Sequence, residues 1–141
     1  MHRLGALLLL LAWSCAAIAQ ALPSTLTLTC KGTATDSLDP GEKDDLALMD
    51  ITVNFTDSTV QGFGYPNGSF NHPVMITTAD NVTVGFYGEQ EGVLSSRESI
   101  IGSVNRVTGD VEATLSLIDQ KTNKARHQVT YALQCRPTQR F

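Results

Sequence analysis

The chain is short of the side chains that carry out chemistry, holding 3 histidines, 3 cysteines and a single tryptophan in 141 residues. Part of that small stock lies in a leader. Met1-His2-Arg3 carries one firm positive charge and is followed by an uncharged apolar run from Leu4 to Trp13. The run is too short to span a bilayer, which takes roughly 20 apolar residues. It leads to Ala17-Ile18-Ala19, with small residues at the two places where signal peptidase accepts little else. Residues 1–19 are therefore predicted to be a signal peptide cleaved before Gln20, with a cut after Ala21 as the alternative, and residues 20–141 to be one domain. Cys15 follows the apolar run, as an acylated lipoprotein cysteine would. The bulky Trp13 two places upstream fits such a site badly, so simple cleavage is expected. No later stretch is apolar enough to cross a membrane.

His2, Trp13 and Cys15 leave with the leader, and their loss excludes several function classes. Without tryptophan the mature chain lacks the GxW signature of lipocalins and the indoles that line biotin in avidin-like barrels. No GxSxG elbow is present to expose a serine nucleophile. No CxxC spacing or histidine cluster suggests a metal, and no motif calls for a cofactor. The remaining charges are 9 basic against 14 acidic, a formal net charge of −5. A chain of that sign without a basic cluster is a poor partner for nucleic acid or an anionic membrane.

Two cysteines remain, Cys30 and Cys135, and in an oxidising compartment they are expected to pair. Closing a loop of about 105 residues removes on the order of 4 to 5 kcal/mol of denatured-state freedom on the chain-entropy model. The bridge also ties the start of the domain to its end, so no second domain can be cut away.

The apolar pattern has a period of two almost throughout. Leu26, Leu28 and Cys30 alternate with threonines, and Met49, Ile51, Val53 and Phe55 with Leu48, Asp50, Thr52 and Asn54. Further strands are predicted at Val60 to Gly64, Val74 to Thr77, Val82 to Tyr87, Ile100 to Val104, Val111 to Leu117 and Val129 to Cys135. Only Glu42 to Met49 offers a short helix, with a simple lead from Asp44 to Met49 into the second strand as the alternative. Eight strands on short connections read as an antiparallel meander. Cys30 and Cys135 then sit on the apolar parity of its first and last strands, so the meander is expected to close as a barrel, with a disulfide-stapled two-sheet sandwich as the alternative.

Candidate functional residues are few. His127 shares the inward parity of Val129, Tyr131 and Leu133, while His72 falls in a loop before Pro73. Phe55, Phe86 and Tyr131, with His127 at the rim, are the residues expected to line a cavity if the barrel holds one. Core filling by these rings and by Phe63 and Tyr87 is the competing reading. Asp36 to Asp45 forms the densest cluster of oxygen ligands and reads as a loop, but it lacks DxDxDG spacing and contains Lys43, so a solvated loop is expected rather than a calcium site. Glu89 and Glu91 likewise read as a solvated loop edge. The sequons at Asn54, Asn67 and Asn81 matter only in a eukaryotic secretory pathway.

The stretch from Ile101 to Thr114, with Asn105-Arg106-Val107-Thr108-Gly109-Asp110 at its centre, carries a familiar pattern. So do the C-terminal Tyr131-Ala132-Leu133-Gln134-Cys135-Arg136-Pro137-Thr138-Gln139-Arg140-Phe141 and Thr29-Cys30-Lys31-Gly32 near the start of the domain. Together they resemble a family of short exported proteins of alphaproteobacteria. The resemblance implies a bacterial, periplasmic setting and carries no catalytic residue with it. In physical terms, Thr108-Gly109 suits a turn that needs positive φ, and Arg106 is expected to brace it through a carboxylate such as Asp110, with a ligand contact as the other role.

These observations favour a non-catalytic periplasmic or secreted domain that binds a small apolar molecule or a protein partner. An envelope or inhibitor protein working by surface contact is the rival, and a hydrolytic enzyme the least supported. Mass spectrometry of the protein from its own compartment should show a chain beginning at Gln20, two hydrogens lighter than its reduced form; a lipid adduct at Cys15 would overturn this reading.

Overall fold

The computed structural model describes residues 24–65, 68–70 and 74–138. The predicted leader with Cys15, together with Asn67 and His72, lies outside them. Among the described residues there are ten strands: β1 (Thr25–Asp36), β2 (Asp39–Asn54), β3 (Thr59–Gln61), β4 (Gly64–Tyr65), β5 (Gly68–Ser69), β6 (Val74–Ala79), β7 (Thr83–Glu91), β8 (Ser96–Asn105), β9 (Asp110–Asp119) and β10 (Ala125–Pro137). Eight of them close an antiparallel barrel in the order β1-β2-β3-β6-β7-β8-β9-β10, with β10 returning to β1, and β4 and β5 form a separate two-stranded ribbon. The barrel, not the sandwich, is the architecture. Its seam is the β1–β10 pairing, in which Cys30 and Cys135 stand directly opposite each other and form the disulfide.

The expected strands run longer than the apolar pattern suggested. β1 continues to Asp36 and β2 begins at Asp39, so the predicted acidic loop from Asp36 to Asp45 is a hairpin, and the candidate helix from Glu42 to Met49 is strand. The pairing partners explain the difference. Thr33, Ala34 and Thr35 lie opposite Asp45, Asp44 and Lys43, and those β1 residues also pair with Ala132, Tyr131 and Thr130 of β10. A charged segment is thus held in strand form by β1, which is itself paired on both sides, and tertiary context overrides propensity. Glu89 and Glu91, expected on a loop, belong to β7 and lie opposite Ser99 and Arg97.

Register arranges the interior in rows that run from strand to strand. One row reads Phe86, Gly102, Ala113, Tyr131, Ala34. The small residues make room for the two rings. A Cβ on Gly102 would stand 2.5 Å from Phe86 Cζ and 2.4 Å from the Glu112 carbonyl oxygen. Phe63, on the segment before β4, packs between the rings, with its centroid 5.0 Å from that of Phe86 and 6.0 Å from that of Tyr131. Alternation of large and small side chains is how a narrow barrel fills its middle. Each buried ring contributes roughly 1.5 to 3 kcal/mol relative to exposure. The adjoining row of Val84, Val104, Val111 and Leu133 is buried as well.

Two substitutions test this framework by urea unfolding. Gly102→Val should cost about 1 to 3 kcal/mol through overpacking, and C30A/C135A on the order of 4 kcal/mol through the freed denatured chain. An unchanged midpoint for Gly102→Val would mean that the rows do not pack as described.

Candidate functional site

The two ends of the barrel differ in chemistry. One end gathers the start of β1, the end of β10 and the β2–β3, β6–β7 and β8–β9 connections; the other gathers the β1–β2, β7–β8 and β9–β10 connections.

At the first end the β8–β9 turn is built by its own side chains. Asn105 Oδ1 accepts the N–H groups of Val107 and Thr108 at 2.9 and 3.0 Å. Gly109 then takes φ +80°, as its place in the sequence suggested, and its carbonyl accepts the Cys135 N–H at 2.8 Å. Arg106 does brace this region, but not through Asp110. Its Nη1 donates to the Asp80 carbonyl oxygen at 2.7 Å, and its guanidinium lies over the Phe55 ring, 5.2 Å from the centroid. Asp110 instead accepts the Thr108 hydroxyl, which a two-residue spacing brings within reach. The Asp80 carboxylate faces its own turn, accepting the N–H groups of Val82 and Thr83 at 2.7 Å each. Those bonds, Thr83 first and Val82 second, hold its carboxyl below the usual carboxylate range, and the Arg106 charge adds a smaller pull. Beside the turn lies a cleft of about 400 Å³ lined by residues that include Leu26, Leu28, Val104, Arg106 and Pro137.

At the opposite end the inner wall turns polar. Gln90, Glu98, Leu117 and His127 form a row across β7 to β10, and the Gln90 amide donates to Glu98. His127 Nε2 lies 2.7 Å from Asp36 Oδ1. Asp36 also accepts the Leu38 N–H at 2.8 Å. That backbone bond first, and His127 second, lower its pKa. His127 keeps the parity of Val129 and Tyr131, since the bulge lies before it, between Ala125 and His127.

The four residues singled out as a cavity lining are therefore dispersed. Phe86 and Tyr131 pack with Phe63 in the middle of the barrel, Phe55 lies under Arg106 at one end, and His127 meets Asp36 at the other. No protein-family model, curated protein or solved structure matches the chain. The site has to be read from its own geometry.

That geometry draws attention to a segment that periodicity passed over, the β7–β8 loop Gly92-Val93-Leu94-Ser95. Val93 is 72% and Leu94 86% exposed, while Leu94 and Ser95 take φ 55° and 56°. The surroundings hold them there. Gly92 N–H donates to the Ser96 carbonyl at 3.0 Å, and the buried Ser96 hydroxyl donates to the Val93 carbonyl. Gln120 of the neighbouring loop donates its backbone N–H to the Ser95 carbonyl and its side-chain amide to the Ser96 carbonyl, both at 3.1 Å. That loop is organised in turn by buried Asp119, whose carboxylate accepts the N–H groups of Lys121 and Thr122 and pairs with Arg126. The signal available in the sequence was an adjacent Val-Leu pair, next to a glycine, where a turn between strands is usually polar.

The depressed carboxyls set an acid limit. Asp36 and Asp80 stabilise the fold while ionised. That contribution is complete above the unfolded pKa, near 3.8, and disappears as the pH falls through their lower folded-state values. The melting temperature should therefore hold from about pH 7 to about pH 5 and decline below about pH 4, and Asp80→Asn should reduce that decline. A D80N profile superimposable on that of the parent would exclude Asp80 as a source of it.

Proposed function

We propose that this chain is an exported, non-catalytic binding domain of the periplasm, and that it recognises a protein partner through the β7–β8 loop. The observation that carries the reading is Leu94, a large apolar side chain held in the left-handed region and pointing into solvent. That conformation costs a residue with a Cβ roughly 1 to 2 kcal/mol. Strain of this kind persists only where neighbours over-determine it, and it gathers at functional sites. Here the bonds from Ser96 and Gln120 supply the constraint. A loop ordered before contact loses little conformational entropy on binding. Burying Val93 and Leu94 in a partner's apolar pocket would contribute roughly 1.5 to 3 kcal/mol each.

Several further points support this reading over its rivals. The Phe63 ring packs against Phe86 and edge-on to Tyr131 in the barrel, which weighs against a ligand enclosed there. An acidic net charge weighs against anionic lipid as the target. The leader, the resemblance to exported alphaproteobacterial proteins and the disulfide all support an oxidising, extracytoplasmic setting. His127 is engaged by Asp36, and among the described residues no hydroxyl is hydrogen-bonded to it, which offers a serine-type mechanism no starting point.

Leu94→Gly should raise the melting temperature by roughly 2 to 5 °C by relieving the strain. A photo-crosslinking residue at position 94, used in intact cells, should yield a discrete protein adduct that the same residue at Thr114 on the barrel wall does not. The partner so identified, once purified, should bind the parent and lose affinity for L94G. Equal adducts from both positions, or undiminished binding by L94G, would reject the proposal.

A further inference from the structure

The far end of the barrel carries a second, independent arrangement. The cleft beside the β8–β9 turn has an apolar floor of Leu28, Val104 and Cys135, all buried, with Leu26 and Pro137 as walls. At about 400 Å³ it falls toward the small end of the range for small-molecule sites, about 300 to 1,000 Å³. Barrel mouths are one of the places where such sites recur.

Arg106 supplies the polar element. Among the described residues no carboxylate forms an ion pair with it, unlike Arg97, which meets Glu89, and Arg126, which meets Asp119. The acids nearby have other partners: Asp80 accepts the N–H groups of Val82 and Thr83, and Asp110 accepts the Thr108 hydroxyl. The Phe55 ring and the Asp80 carbonyl hold the guanidinium in place. A guanidinium carries five N–H donors in a planar fork, and the Asp80 carbonyl engages only Nη1. An oriented cation at the rim of an apolar cleft, in a chain of formal net charge −4, fits one class of ligand well.

We propose that this mouth binds a free single-chain carboxylate, with the anion on Arg106 and the alkyl chain over Leu26, Leu28 and Val104. A planar carboxylate matches the guanidinium fork as a bidentate acceptor. The Asp80 carboxylate, near enough to interact with the Arg106 charge, disfavours ligands of higher negative charge.

The test uses the oxidised domain with decanoate, decanol and decyltrimethylammonium as probes, followed by calorimetry and by backbone amide NMR. Decanoate should bind on the order of tenfold more tightly than decanol, the margin that a charge-assisted hydrogen bond supplies, and the cation should bind weakest. Shifts should concentrate at Leu28, Val104 and Gly109. Arg106→Gln should erase the preference for decanoate over decanol, and Arg106→Lys should restore part of it. Equal binding of the three probes, shifts centred elsewhere, or an unaltered preference in R106Q would overturn the proposal. Sedimentation with anionic vesicles in place of decanoate binding would also overturn it, by assigning the mouth to a membrane surface.

Discussion

Closure of the sheet on itself between β1 and β10 is the constraint on which the rest of the molecule depends. An open meander of this composition would leave two long edges and an apolar face in water; the β1–β10 pairing removes both exposures at that seam. The pairing joins residues about a hundred positions apart, so its loop-closure entropy is among the largest in the fold. The Cys30–Cys135 bridge sits within that pairing and reduces the penalty in the denatured state. Every interior row depends on the same closure, because Tyr131 of β10 and Ala34 of β1 face each other only when the seam is formed.

Closure also sets what kind of binding the molecule can support. The middle of the barrel is filled by its own side chains, with Phe63 packed between Phe86 and Tyr131. The proposed recognition surfaces therefore lie at the ends, where connections leave the sheet and hydrogen bonding no longer dictates side-chain direction. The two ends have diverged. One presents an apolar pair on a braced turn, and the other an apolar hollow with a cation at its rim. The hollow is lined from both sides of the seam, by Leu26 and Leu28 of β1 and by Cys135 and Pro137 of β10, so it depends directly on closure.

Legibility from the sequence followed the physics of each feature. The strands were readable because alternation in Ile51, Val53 and Phe55, or in Val129, Tyr131 and Leu133, is a direct record of one wet and one dry face. The hairpin from Asp36 to Asp45 was not, because charged residues there are held by cross-strand partners rather than by their own pattern. Arg106 was identified as a brace, yet its partners, Phe55 and the Asp80 carbonyl, lie 51 and 26 positions away, and a backbone carbonyl leaves no trace in a residue pattern. The β7–β8 loop was passed over because neither exposure nor a positive φ at a leucine can be read from residue type.

What the sequence determined by itself was the class of the molecule: a period of two almost throughout, and Cys30 and Cys135 on matching parity in the first and last strands. Those are local quantities, set by side-chain chemistry and alternation. Only the tertiary structure decided how the pieces are used. Whether Phe86 and Tyr131 fill or line the barrel depends on the small residues facing them from other strands, Gly102, Ala113 and Ala34. Likewise, whether Leu94 collapses onto the protein or stands in solvent depends on Gln120, across a loop that no pattern in the chain connects to it.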